Sequence, residues 1–139
     1  MKCLFLHAKE YQIKITGLAT RPLGIQVEVM KQPIQKIERA IIAFVTVEAE
    51  DRIESIEKPL VDDLRLFANQ TGESMIVLVP FAHLSNQLAS SEKALAIFEK
   101  LHASLKQEFK VERTHFGSDK ELMLHVFGHP GNIRFRQYT

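Results

Sequence analysis

The sequence predicts one mixed α/β domain, and three observations carry that reading. Residues 40–47 and 75–82 are apolar runs of strand length, rich in β-branched side chains. Residues 53–70 and 91–105 switch to helical spacing. Both ends of the chain return to short strand-like patterns. The order strands, helix, strand, helix, strands belongs to a single layered domain spanning residues 1–139.

Taken in order, residues 2–7 read as a short buried strand with Leu4, Phe5 and Leu6 as its core. Tyr11, Ile13 and Ile15 alternate with polar residues, as in a half-exposed partner strand. Residues 17–30 admit more than one reading. Pro22 and Gly24 punctuate them, while Ile25, Val27 and Val29 alternate in the manner of an edge strand. Residues 40–48 form the central strand. Ile56, Leu60, Leu64 and Phe67 then define a helical stripe, with Pro59 suited to a first turn and Thr71-Gly72 to a stop. Residues 75–80 make another buried strand, ended by its proline.

Ser90-Ser91-Glu92 caps a second helix, whose buried side is Ala94, Ile97, Phe98, Leu101 and Leu105. Residues 110–115 and 121–127 read as a strand pair joined around Phe116-Gly117. Gly128-His129-Pro130-Gly131 then leaves a short basic tail over 134–139.

Composition narrows the function. At 139 residues and 45% apolar content, the chain buries enough surface to fold without staples. Its single Cys3 forms no internal disulfide, and no Cys-x-x-Cys holds zinc, which fits a reducing compartment. The six histidines are scattered, so neither a metal site nor a cofactor is expected. No apolar run approaches the roughly 18 residues of a membrane span, and the N-terminus lacks a signal-peptide pattern. A cytoplasmic protein is the expectation. The net charge of +1 gives no electrostatic footprint of an independent nucleic-acid binder. An RNA partner would have to be recognised by local geometry.

Phosphate-binding glycine loops, nucleophile elbows and metalloprotease motifs are all missing. Two polar clusters remain at the ends of apolar strands, where binding residues gather. One is Pro80-Phe81-Ala82-His83-Leu84-Ser85; the other is Phe116-Gly117-Ser118-Asp119-Lys120. Taken singly, each has a plain structural explanation. His83 and His7 read as ordinary post-strand histidines, Phe116–Asp119 as a hairpin turn, and Lys120 as a solvated lysine.

Together they point further. Met-Lys-x-Leu-x-x-His at the start, Ala43-Phe44-Val45-Thr46-Val47-Glu48, the Pro80–Ser85 segment, Phe116-Gly117-x-x-Lys120 and Gly128-His129-Pro130 occur in this order. The set resembles the N-terminal editing domain of archaeal threonyl-tRNA synthetases, across essentially the whole chain. That family is a relative of the D-aminoacyl-tRNA deacylase fold, a mixed β-sheet or barrel with two main helices.

The resemblance implies hydrolysis of serine wrongly esterified to threonine tRNA, with no cofactor. It implies that Val45, Pro80, Ala82 and Phe116 line a small side-chain pocket and that backbone groups, Gly117 included, hold the substrate. Lys120 would be the main catalytic group, His83 would place the attacking water, and the terminal ribose 2′-hydroxyl would take part.

Two positions depart from the family pattern. Asp119 stands where the family has an aromatic residue and would pair with Lys120. An ungapped alignment puts Ile133 where the family has a glutamate facing the substrate amine, leaving Asp119 as the candidate replacement. Expected partners are the aminoacylated tRNA end, a second copy in a homodimer, and a threonyl-tRNA synthetase catalytic body. The chain would be either excised from such a body or free-standing, and any ATP or zinc would belong to the body. The competing readings are a non-catalytic tRNA- or synthetase-binding module on the same fold, or a deacylase for another ester such as a D-aminoacyl-tRNA.

Overall fold

A computed structural model describes residues 1–22 and 24–139; Leu23, inside the ambiguous 17–30 segment, lies outside the described residues. The expected mixed α/β fold is found, with six strands and two helices among the described residues: β1 (Lys2–Leu18), β2 (Ile34–Thr46), α1 (Ile53–Thr71), β3 (Met75–Pro80), α2 (Ser91–Lys106), β4 (Lys110–Arg113), β5 (Ser118–Val126) and β6 (Ile133–Gln137). The strands form one sheet in the order β4-β3-β2-β1-β5, and β6 pairs with the first part of β1. The β2–β3 and β3–β4 pairs are parallel and are bridged by α1 and α2, while the pairs made by β1 are antiparallel.

Both helices cover one sheet face. Ile53, Ile56, Leu60, Leu64 and Phe67 of α1 and Ile97, Phe98, Leu101 and Leu105 of α2 pack on Cys3, Phe5, Ile41, Ala43, Val45, Ile76 and Leu78. The alternate residues Ile42, Phe44, Val77 and Val79 enter a second core with Tyr11 and Ile13. Burial on both faces is why β2 and β3 read as unbroken apolar runs. Ser90 caps α2 as expected, its Oγ accepting from the Lys93 N–H at 3.2 Å. Gly72 ends α1 in the left-handed region at φ 74°, donating to the Ala68 carbonyl at 2.8 Å.

The ends of the chain differ from the sequence reading. The two expected N-terminal strands are one 17-residue strand bent in the middle. Leu6 and Ala8 point into the second core, and beyond the bend Tyr11 and Ile13 do, so the alternation changes phase between them. On β2 the phase changes opposite, between Ile37 and Ala40, where Arg39 takes φ 47°. Such a reset is invisible to a period-2 search.

Among the described residues of 19–33 none is in a strand; the stretch connects β1 to β2. The expected 110–115/121–127 hairpin is not formed either, because β4 pairs with β3 and β5 pairs with β1. The basic tail is strand β6, with Arg134 stacked on the Phe67 ring at 4.1 Å. Pro59 lies inside α1 rather than in its first turn.

Leu60 is fully buried at the centre of the helix-facing core. Leu60→Ala should lower unfolding stability by about 2–5 kcal/mol, as truncated buried leucines do. Urea titration of the two proteins measures it, and a loss under about 1 kcal/mol would contradict this core assignment.

Candidate functional site

The bend carries the far half of β1, with β5 beside it, over the second face of the sheet. Tyr11 marks the contact: its hydroxyl is 2.7 Å from Thr114 Oγ1, just past β4. The curled ribbon and the C-terminal ends of β2 and β3 then enclose a cleft of about 730 Å³. That volume lies within the range of small-molecule sites.

All eight residues singled out in the sequence line this one cleft: Val45, Pro80, Ala82, His83, Phe116, Gly117, Asp119 and Lys120. They come from three separate stretches of chain. Val45 and Pro80 are partners in the parallel β2–β3 ladder. The Phe81 N–H donates to the Val45 carbonyl at 3.0 Å, and Thr46 Oγ1 donates to the Phe81 carbonyl at 2.5 Å, so the Ala82-His83 loop leaves the strand on a fixed path. His83 is exposed, with its ring edge-on to Phe81 at 5.0 Å; Phe81 in turn packs on Phe44 at 4.8 Å.

Lys120 sits on β5 opposite Ile15, and its Nζ donates to the Ser118 carbonyl at 3.0 Å. Burial lowers its pKa from the ordinary lysine value, against the opposing pull of Asp119 and Glu28. The expected ion pair with Asp119 is not formed among the described residues. Strand alternation explains this: Asp119 follows the opposite direction from Lys120 and is exposed.

Ile133 is also not where the ungapped alignment puts it. It begins β6 beside Leu6, is 52% exposed, and does not line the cleft. The turn after Gly128 directs β6 along the first half of β1, whereas Lys120 pairs with the second half.

The sequence reading missed three contributors. Ala19, Pro22 and Ile25 line the cleft from the β1–β2 connection, and Ser91, Ala94 and Phe98 line it from α2. Long-range closure of this kind leaves no local pattern to find. The third is Glu48, which anchors the His83 loop from behind. Its Oε1 accepts from Ser85 Oγ at 2.6 Å and Lys2 Nζ at 2.9 Å, and its Oε2 accepts from the Met1 ammonium at 3.0 Å. The Ser85 hydrogen bond first, then Lys2 and the Met1 ammonium, outweigh burial and lower its pKa to about 2. Its spacing from Ser85 carried no sign of this. Among the described residues no His/Cys/Asp/Glu group is arranged to hold a metal, and no helix is long and apolar enough to cross a membrane.

A family model described as the archaea-specific editing domain of threonyl-tRNA synthetase matches residues 1–137. The chain is 32% identical over 130 residues to the threonine–tRNA ligase editing subunit of Saccharolobus solfataricus, covering 94% of this chain and 32% of that protein. It is 33% identical over 132 residues to the threonine–tRNA ligase of Staphylothermus marinus, covering 94% and 21%. The chain thus spans between about a fifth and a third of the length of these curated relatives. Its fold is similar to a solved structure titled c-Myc DNA Unwinding Element Binding Protein, with a TM-score of 0.70, 13% identity, and coverage of 99% of this chain and 98% of that one. That likeness concerns the fold alone.

A carboxylate whose folded pKa is depressed stabilises the fold above its ordinary 4.5, and the contribution disappears as pH falls toward about 2. Urea unfolding at stepped pH should therefore show wild-type stability dropping through that window. The drop should be visibly shallower in Glu48→Gln. Parallel curves would mean that Glu48 is not held as described.

Proposed function

The chain belongs to the archaea-specific editing-domain family of threonyl-tRNA synthetase, and on that premise we propose that it hydrolyses serine from mischarged threonine tRNA. The observation that carries this reading is the convergence, in one cleft, of a partly buried amine, an exposed imidazole and an apolar wall. The chemical need is equally specific. A synthetic site distinguishes side chains differing by one methylene by only about 1–3 kcal/mol, so a second, hydrolytic sieve is required.

In the proposed reaction, water attacks the ester carbonyl and a tetrahedral oxyanion develops; it collapses by breaking the acyl bond to the ribose 3′-oxygen, which leaves as a hydroxyl with a proton from the attacking water while serine departs as the free acid. An ammonium has three N–H donors, and Lys120 directs one at the Ser118 carbonyl, which leaves others to meet the oxyanion. The amine has already lost part of its hydration, so little solvent must be displaced as charge develops. His83, on the loop fixed through Phe81 and Ser85, is the group that positions the water. The 2′-hydroxyl of the terminal ribose assists from the substrate side.

Val45, Pro80, Ala82 and Phe116 receive the side chain. Stiff apolar walls suit a filter that works by size. Gly117 lets the backbone approach the substrate. With no Ile133 in the cleft, Asp119 at its rim is the carboxylate proposed to face the substrate amine. The mischarged tRNA is supplied by a threonyl-tRNA synthetase catalytic body, and the place of action is the cytoplasm.

We propose a homodimer as the working form. The reason lies in β6, where Arg134 and Arg136 turn inward to Phe67 and Asp63 while Ile133 and Phe135 stay about half exposed. An unpartnered apolar row of this kind is a common association surface.

Lys120→Ala should slow single-turnover release of serine by about 10²-fold or more, the usual effect of removing one oxyanion stabiliser. Seryl-, threonyl- and D-aminoacyl-tRNA should be compared side by side. A folded variant with an unchanged rate removes Lys120 from the chemistry, and tRNA binding with no release of any amino acid would favour a non-catalytic module. For the dimer, sedimentation at tens of micromolar should give twice the 15.9 kDa chain mass, and Phe135→Asp should reduce it to one. A wild-type monomer at that concentration rejects the assembly.

A further inference from the structure

The described residues of the β1–β2 connection, 19–22 and 24–33, are outside the sheet, yet they are tied down at several points. Near its middle the Gln26 N–H donates to Ser91 Oγ at 2.9 Å, at the start of α2. Glu28 supplies the other ties. Its N–H donates to the Phe116 carbonyl at 3.2 Å, and its Oε1 accepts from the Phe116 N–H at 2.7 Å. Its Oε2 is paired with the Arg113 guanidinium, and its carbonyl lies 2.7 Å from His115 Nε2. One residue thus binds both backbone groups of Phe116 and the side chains on either side of β4's end.

Gly117 records how closely the connection passes. At φ 87° it leaves no space for a Cβ, which would stand 2.7 Å from the Gln26 carbonyl oxygen and 2.9 Å from Val27 Cα. Both neighbours are backbone, so neither yields easily. The connection therefore crosses directly over the Phe116-Gly117 turn and places Ala19, Pro22 and Ile25 in the lining of the cleft.

We infer that this segment is the discriminating wall of the cleft, with Ile25 as a specificity-determining residue and Glu28 as the positioning residue that holds the wall in place. The inference rests on the deacylase reading above. Refusing one extra methyl group is a steric task, and a wall performs it only if it does not give. A connection without ladder hydrogen bonds would give, and the Glu28 and Gln26 ties prevent that. The same cover keeps water from Lys120, in keeping with burial as the main influence on that amine. Glu28 and Asp119 are the carboxylates acting on Lys120, and His83 borders the same space.

The test uses Ile25→Ala and Glu28→Gln in the full chain. In single-turnover assays Ile25→Ala should raise the rate of threonyl-tRNA hydrolysis relative to that of seryl-tRNA by about tenfold or more. An unchanged serine-to-threonine ratio in the folded variant overturns the role of Ile25. For Glu28→Gln, acylation of Lys120 by a small activated ester, mapped by mass spectrometry and compared at the alkaline plateau where the amine is unprotonated in both proteins, should speed up by about tenfold as the wall loosens. Unchanged labelling overturns the role of Glu28. If wild type releases neither amino acid, the deacylase reading fails by itself, and the labelling result still decides whether this segment covers Lys120.

Discussion

The paired bend of β1 and β2 at Lys9 and Arg39 is the constraint on which the rest of the molecule depends. Val45 pairs with Cys3, whereas Lys120 pairs with Ile15, twelve residues further along the same strand. At about 3.3 Å per residue a straight strand would hold them roughly 40 Å apart. The bend folds that distance back on itself, and both residues line one cleft. Arg39 takes a left-handed φ that a side chain-bearing residue rarely adopts, and its surroundings hold it there. Its Nε and Nη2 donate to Glu73 Oε1 at 3.1 and 2.9 Å, and its guanidinium lies 5.2 Å from the Phe127 ring centre.

Glu73 follows Gly72 at the end of α1, so the bend is locked to the helix layer. His7, buried beside it, contacts the same carboxylate oxygen at 2.9 Å and reaches His129 at 2.7 Å on the turn before β6. Two motifs of the chain's ends, the first histidine and Gly128-His129-Pro130, thus act as corner pieces outside the lining of the cleft. At the opposite end a second polar cluster joins the Met1 ammonium to Glu48, Asp51 and the Tyr138 carbonyl. Among the described residues, no buried side-chain polar atom lacks a partner. The cleft lies between these two fastened ends, which suits a site whose groups must be held before the substrate arrives.

How much of this was legible in the sequence depends on range. Helices α1 and α2, and strands β2 and β3, showed themselves through local periodicity, capping and the left-handed stop at Gly72. The residues that line the cleft were singled out only as an ordered set of motifs, since His83, Phe116 and Lys120 taken singly resemble ordinary loop and surface residues. The phase change at Lys9 and Arg39 was not legible, because half-strands of opposite phase look like two strands. The partners of β4 and β5 were hidden for a related reason. A short loop such as Phe116-Gly117 suggests a hairpin, whereas here the flanking strands belong to opposite parts of a curled sheet. Glu28 carried no signal at all, as its partners lie 85 or more residues away.

The connection over residues 19–33 joins strands that already pair along most of their length. Lengthening such a connection has little effect on folding, since doubling a loop costs only about 0.6 kcal/mol in closure entropy. Change can therefore accumulate there without disturbing the ladder that carries Lys120. Lys120 sits on a strand of the sheet, while Ala19, Pro22 and Ile25 reach the same cleft from a connection beside it. A fold arranged this way can reshape one wall of its cleft by exchanging a loop and leave the sheet as it is.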